Sequence, residues 1–97
     1  MEEYRDASGR LTVAFESMNA SDYPDVVDAL EKHFLLEPRT ERVQGLDEMF
    51  QQFKRGNIEL KLEWDIWSGF SVTAVSADAE HFIRRVASFV KEWLRKR

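Results

Sequence analysis

The stretch Ile58-Glu59-Leu60-Lys61-Leu62-Glu63-Trp64-Asp65-Ile66, followed after Trp67-Ser68-Gly69 by Phe70-Ser71-Val72-Thr73-Ala74-Val75, decides the fold. Ile58, Leu60, Leu62, Trp64 and Ile66 alternate with Glu59, Lys61, Glu63 and Asp65. A two-residue period puts the two sets on opposite faces of an extended chain. One face is apolar and the other charged, which is the pattern of a strand buried on one side only. Past Gly69, Phe70, Val72 and Ala74 alternate with Ser71, Thr73 and Val75, so a second strand follows.

Parity chooses the turn between them, because directly paired residues of an antiparallel hairpin lie on one face. A two-residue loop at Ser68-Gly69 pairs Trp67 with Phe70 and Asp65 with Val72, which sets the apolar residues on opposite sides. A three-residue loop, Trp67-Ser68-Gly69, pairs Ile66 with Phe70, Trp64 with Val72 and Leu62 with Ala74. All the apolar residues then share a face, and Gly69 falls where such loops take a left-handed residue. The three-residue loop is expected.

Beyond the hairpin, Ala79, Phe82, Ile83, Val86, Phe89, Val90, Trp93 and Leu94 form one broad helical stripe. Ser76 or Asp78 stands where a cap is needed. Before the hairpin, Leu46, Met49, Phe50 and Phe53 recur at helical spacing, with Asp47 and Glu48 in front and Lys54-Arg55-Gly56 behind like a C-cap, so a short helix is expected there. Residues 37–45 carry little pattern and read as a loop or a poor edge strand. Tyr23, Val26, Val27, Leu30 and Phe34 mark an earlier helix, with Pro24 in its first turn, acids near its start and Pro38 ending it at about Leu36. Leu11, Val13 and Phe15 alternate with Thr12, Ala14 and Glu16, a strand over about 10–18. Residues 1–9 read as frayed or irregular.

The expected fold is a single α+β domain over residues 1–97. It is a two-layer sandwich, an antiparallel sheet of three or four strands with helices on one face, in the order β-α-(β)-α-β-β-α. Ninety-seven residues bury roughly 65% of their unfolded surface, enough for one core but not for a core and a deep active site.

Composition narrows the chemistry. There is no cysteine, which removes disulfides, thiolate nucleophiles and thiolate metal sites. The polar start, Met1-Glu2-Glu3-Tyr4-Arg5-Asp6, lacks the apolar stretch of a signal peptide, and no apolar run approaches membrane length, so a soluble, cytoplasmic protein is expected. The sequon Asn19-Ala20-Ser21 is then incidental. No P-loop, G-x-G-x-x-G or G-x-S-x-G elbow is present, and no cofactor is expected. The net charge of -4 is uneven: residues 84–97 hold six Lys or Arg and one acid, and the other 83 hold eight basic and 17 acidic groups.

Each candidate site has a plain alternative. Glu59, Glu63 and Asp65 line the wet strand face, where a general acid–base pair would need an apolar pocket to raise one pKa, and Lys61 among them reads as ordinary charge alternation. His33 and His81 lack a metal-ligand spacing, so no metal is expected. Trp67 stands at a hairpin tip on the parity opposite to the core set. It either folds back over the outer face near Asp65 or Phe70, or it is presented as an anchor in an apolar patch shared with Met18 and Val75.

The basic last helix offers phosphates Arg84, Arg85, Lys91 and Arg95, but an acidic body and the missing recognition motifs weigh against nucleic acid as partner. The expected function is therefore a non-catalytic interaction module. It would bind a protein partner, or itself, through its acidic surface and the outer sheet face and hairpin around Trp67, Asp65, Glu63 and Lys61. Small acidic inhibitor proteins match it in size and charge alone. The alternatives are a small enzyme or enzyme subunit with a pocket between sheet and helices, and a nucleic-acid binder acting through the last helix. A membrane partner is not expected.

Overall fold

In the computed structural model, which describes all 97 residues, the alternating stretch forms two paired strands at the centre of one sheet. The elements are β1 (Glu2–Arg5), β2 (Leu11–Phe15), α1 (Asp22–Phe34), β3 (Glu37–Pro38), β4 (Val43–Gln44), β5 (Glu48–Arg55), β6 (Ile58–Asp65), β7 (Gly69–Ala74) and α2 (Glu80–Lys96). A 3-10 turn at Ala77–Ala79 leads into α2. The strands make an open antiparallel sheet in the order β1-β2-β7-β6-β5-β3, with β4 also paired to β5. Both helices pack into one core with the sheet's inner face. The α+β class stands, with seven strands in place of three or four and two helices in place of three. No helix is long and apolar enough to cross a membrane.

The β6–β7 register differs from expectation by two residues. Trp64 pairs with Phe70, Leu62 with Val72 and Leu60 with Ala74, and the loop is Ile66-Trp67-Ser68. The reason lies in Asp65, whose Oδ1 accepts the N–H of Trp67 at 2.9 Å and of Ser68 at 2.7 Å, closing the turn one residue early. Parity is unchanged by a shift of two, so the apolar face survives and only Ile66 is released from it. Gly69 has φ +73, and β2 runs close beside it. A Cβ there would collide with the Phe15 carbonyl oxygen and lie 2.8 Å from Glu16 Cα.

The segment expected as a second helix is β5. Met49, Gln51 and Phe53 face the core, and Phe50 and Gln52 face out. Gln51 hides the alternation, because it is a polar residue only 6% exposed on the inner face. Its Oε1 accepts from Arg42 Nε at 3.2 Å and its Nε2 donates to the Thr40 carbonyl at 2.9 Å, so burial leaves it satisfied. Gly56, with φ +62, is the first residue of a two-residue turn with Asn57 rather than a helix cap.

Residues 37–45 combine the two readings offered for them. β3 and β4 are two pieces of one edge strand, and four residues, Arg39–Arg42, stand opposite Gln51 and Gln52. The surplus turns Arg42 back over α1, where it meets Asp28 at 3.2 Å and Glu31 at 3.7 Å. An interrupted edge is also a poor template for a further strand.

Residues 2–5, expected to be irregular, form the opposite edge. Asp6 Oδ1 accepts from the N–H groups of Ser8 and Arg10, which folds the chain back into β2. On the inner side of β1, Arg5 pairs with Glu80 at 2.6 Å and Glu3 with Arg84 at 2.7 Å. Polar side chains thus hold β1 to α2 at the margin of the core. Ser76 does not cap the last helix; its Oγ accepts the Glu59 N–H at 3.1 Å and ties the start of β6.

The two glycines separate conformational strain from collision. Gly56→Ala should cost about 1 kcal/mol, the left-handed penalty alone, since the space beside it is open. Gly69→Ala should cost about 3 kcal/mol, because strain and the clash with β2 add. Urea unfolding of both variants measures the difference, and equal losses would contradict this account.

Candidate functional site

Side chains on the outer face follow from register. One rung across the sheet runs Glu2, Ala14, Ser71, Glu63, Phe50 and Val43. The next runs Tyr4, Thr12, Thr73, Lys61 and Gln52. Thr12, Ala14, Ser71 and Thr73 are small and buried among their larger neighbours, and the Thr12 and Thr73 hydroxyls lie 3.2 Å apart. The Tyr4 hydroxyl is pushed above its usual range, first by burial and then by the charges of Glu2 and Glu63.

The four residues singled out from the sequence do not form one cluster. Lys61 and Glu63 lie on the outer face and pair with each other at 3.7 Å. Asp65 is committed to its turn. Trp67 stands beyond the sheet at the tip of the β6–β7 loop, 82% exposed, so it does not fold back over the outer face. Met18 and Val75 are not its companions. Met18 is buried, and its carbonyl accepts the Trp64 Nε1–H at 2.8 Å. Val75 follows the opposite end of β7.

The structure brings two other residues to Trp67's end of the sheet. Gly45 donates its N–H to the Glu48 carbonyl, leaving Leu46 and Asp47 at the tip of the β4–β5 turn. Ile66 donates its N–H to the Asp47 carbonyl at 3.0 Å, which holds the two loops side by side. Leu46 is 97% exposed and Ile66 57%. Three large apolar side chains therefore share one end of the sheet in solvent. The sequence reading had Leu46 on a helix and Ile66 in the core. A Gly-Leu-Asp turn was the available signal, but it was absorbed into the helical spacing.

Glu59, the remaining wet-face carboxylate, pairs with Arg39 at 3.2 Å. His33 packs its ring against Phe34 and Phe89, with centroids 4.7 and 4.5 Å away, and His81 is exposed on α2. No group of three or more His, Asp or Glu side chains is arranged to hold a metal ion. Two open clefts occur. One of about 670 Å³ lies between Met1, Phe15, Lys91 and Leu94, and one of about 330 Å³ lies along Phe89 and Trp93. Glu92, beside the second, has its carboxyl held below the usual range by a hydrogen bond from Arg95, the opposite of what a general acid requires.

The basic helix is partly neutralised within the fold. Arg84 pairs with Glu3, Arg95 with Glu92 and Arg97 with Asp22. Arg85 lies over the rings of Phe34 and Phe82. Compared with models of protein families, with characterised proteins and with solved structures, the chain finds no match.

The β1–α2 pairs set an acid dependence. Hydrogen bonds from Arg84 and Arg5 hold the Glu3 and Glu80 carboxyls below their ordinary value. A folded-state pKa below the unfolded one stabilises above the unfolded pKa, and that stabilisation is lost as pH falls through the folded pKa. Glu3 is exposed and Glu80 half-buried, both within reach of solvent ions, so the effect should weaken in salt. An NMR titration should find the Glu3 midpoint below 4.5. Arg84→Gln should move it back upward, and an unmoved midpoint would mean the pair does not form in solution.

Proposed function

We propose that this protein is a non-catalytic interaction module that holds a protein partner through the end of the sheet carrying Leu46, Ile66 and Trp67. The observation that carries the reading is their joint exposure on two loops joined by the Ile66–Asp47 backbone bond. Exposed large apolar side chains gathered at one site favour association, since burying them removes apolar surface from water. Tryptophan is enriched among the residues that dominate such interfaces.

The loop is also braced for the task. Asp65 holds the backbone of Trp67 and Ser68, and Gly69 locks the loop's far side against β2. An anchor on an ordered loop loses less conformational entropy on binding than one on a loose loop. The outer sheet face, named with Trp67 in the sequence reading, contributes less: its central residues are small and Lys61 already pairs with Glu63.

A photo-crosslinking side chain at position 67 tests this. Adducts with a protein partner or a second copy should form there and not at position 78, which lies exposed at the opposite end of the sheet. Trp67→Ala should leave unfolding stability within about 0.5 kcal/mol, as for an exposed residue without packing partners, and abolish the association. Equal adduct yields at positions 67 and 78 would overturn the reading.

A further inference from the structure

The charges are sorted along the strand direction, which the sequence divided instead into an acidic body and a basic tail. Nine of the 18 carboxylates have an ion-pair partner. Of the other nine, six stand where β2, β4 and β6 end and where β1, β5 and α1 begin: Glu2, Glu16, Asp25, Asp47, Glu48 and Asp65. This is the end that carries Leu46, Ile66 and Trp67.

Cations without an acid partner are divided between the two ends. Arg10, Lys32 and Arg55 belong to the other end, in the β1–β2 loop, the last turn of α1 and the β5–β6 turn. Arg85 lies in the first half of α2, whereas Lys91 and Lys96 lie on its second half, which reaches the hairpin end on the β1–β2 side. There Lys91 lines a cleft with Glu2 and Glu16. The part of that end free of Lys and Arg is the pair of loops carrying Asp47, Glu48 and Asp65. The segments 11–31, 43–53 and 62–83, which bring the chain through the hairpin end, contain no Lys or Arg at all.

From this arrangement we infer that the partner meets the hairpin end with a cationic protein surface: an apolar recess that takes Trp67 and its neighbours, rimmed by Lys or Arg. The inference rests on the proposed binding reading and adds the chemistry of the partner. An apolar centre with a charged rim divides the labour of an interface. The centre supplies affinity, and the rim supplies encounter rate and partner choice. The uncompensated acids repel anionic surfaces, which disfavours anionic lipid and nucleic acid alike. Like charges crowded at one end also repel each other until a cation arrives, so a basic partner relieves a repulsion built into the free protein.

The test uses immobilised synthetic peptides with one central Leu or Phe flanked by Lys, Ser or Glu, together with vesicles of phosphatidylcholine alone and with phosphatidylglycerol. Retention of the intact protein should be at least about fivefold higher on Lys-flanked than on Ser-flanked peptides at low salt, and the difference should collapse as salt shortens the range of the charges. Asp47→Lys combined with Glu48→Lys should remove the preference, and Trp67→Ala should remove retention altogether. Equal retention on Lys- and Ser-flanked peptides, still lost in Trp67→Ala, would overturn the cationic partner and leave the binding reading intact. Retention indifferent to Trp67→Ala, or none on any peptide, would sink both. Binding to either vesicle in preference to the peptides would assign the site to lipid and overturn the inference.

Discussion

Leu60, Leu62 and Trp64 can face the core only while β6 keeps its register with β7 on one side and β5 on the other. A slip of one residue on either side would turn these side chains into water and bring Lys61 and Glu63 inward. The register is set from both ends of the strand. At one end Asp65 closes the loop to β7, and at the other Gly56-Asn57 closes the turn to β5. The other strands extend the face that this central strand defines, and both helices pack on it.

The crossover that follows from it is strict. β2 lies beside β7, and the chain must leave β2 at the hairpin end, cross the inner face as α1 and return as the edge strand on β5. Tyr23 fastens this crossing by donating its hydroxyl to the Leu62 carbonyl at 2.7 Å inside the core, a buried bond worth about 1 kcal/mol. Arg42 closes over the same helix from the bulged edge, its guanidinium 5.9 Å from the Tyr23 ring. Gly69 permits the close approach of β2, and that approach in turn stiffens the loop that presents Trp67.

At its margins the fold uses ion pairs where the hydrophobic core runs out. β1 offers α2 a glutamate and an arginine, and α2 answers with an arginine and a glutamate. Exposed pairs of this kind contribute little stability, but they choose the side on which a short polar strand settles. They also occupy Arg84, one of the cations that made the last helix look like a surface for phosphates. Around the hairpin, Asp47, Glu48 and Asp65 are left without a cation partner because segments 43–53 and 62–83 contain no Lys or Arg, while Glu2 and Glu16 share their cleft with Lys91.

Period and parity determined by themselves the two central strands, the faces they turn to the core, a strand within about 10–18 and both long helices, because repeating side-chain direction is a local property of the backbone. They also singled out Trp67 as a residue outside the core. Only the tertiary structure decided that β5 is a strand, since Gln51 can point inward solely because Arg42 and Thr40, distant in the chain's pattern, satisfy it there. β1 is the same case: its inward residues are charged, and their partners are some eighty positions away on α2. The neighbours of Trp67 were hidden for a related reason. Leu46 and Ile66 come together through a backbone bond between two separate hairpins, and no periodicity within either one records which loops a sheet will bring side by side.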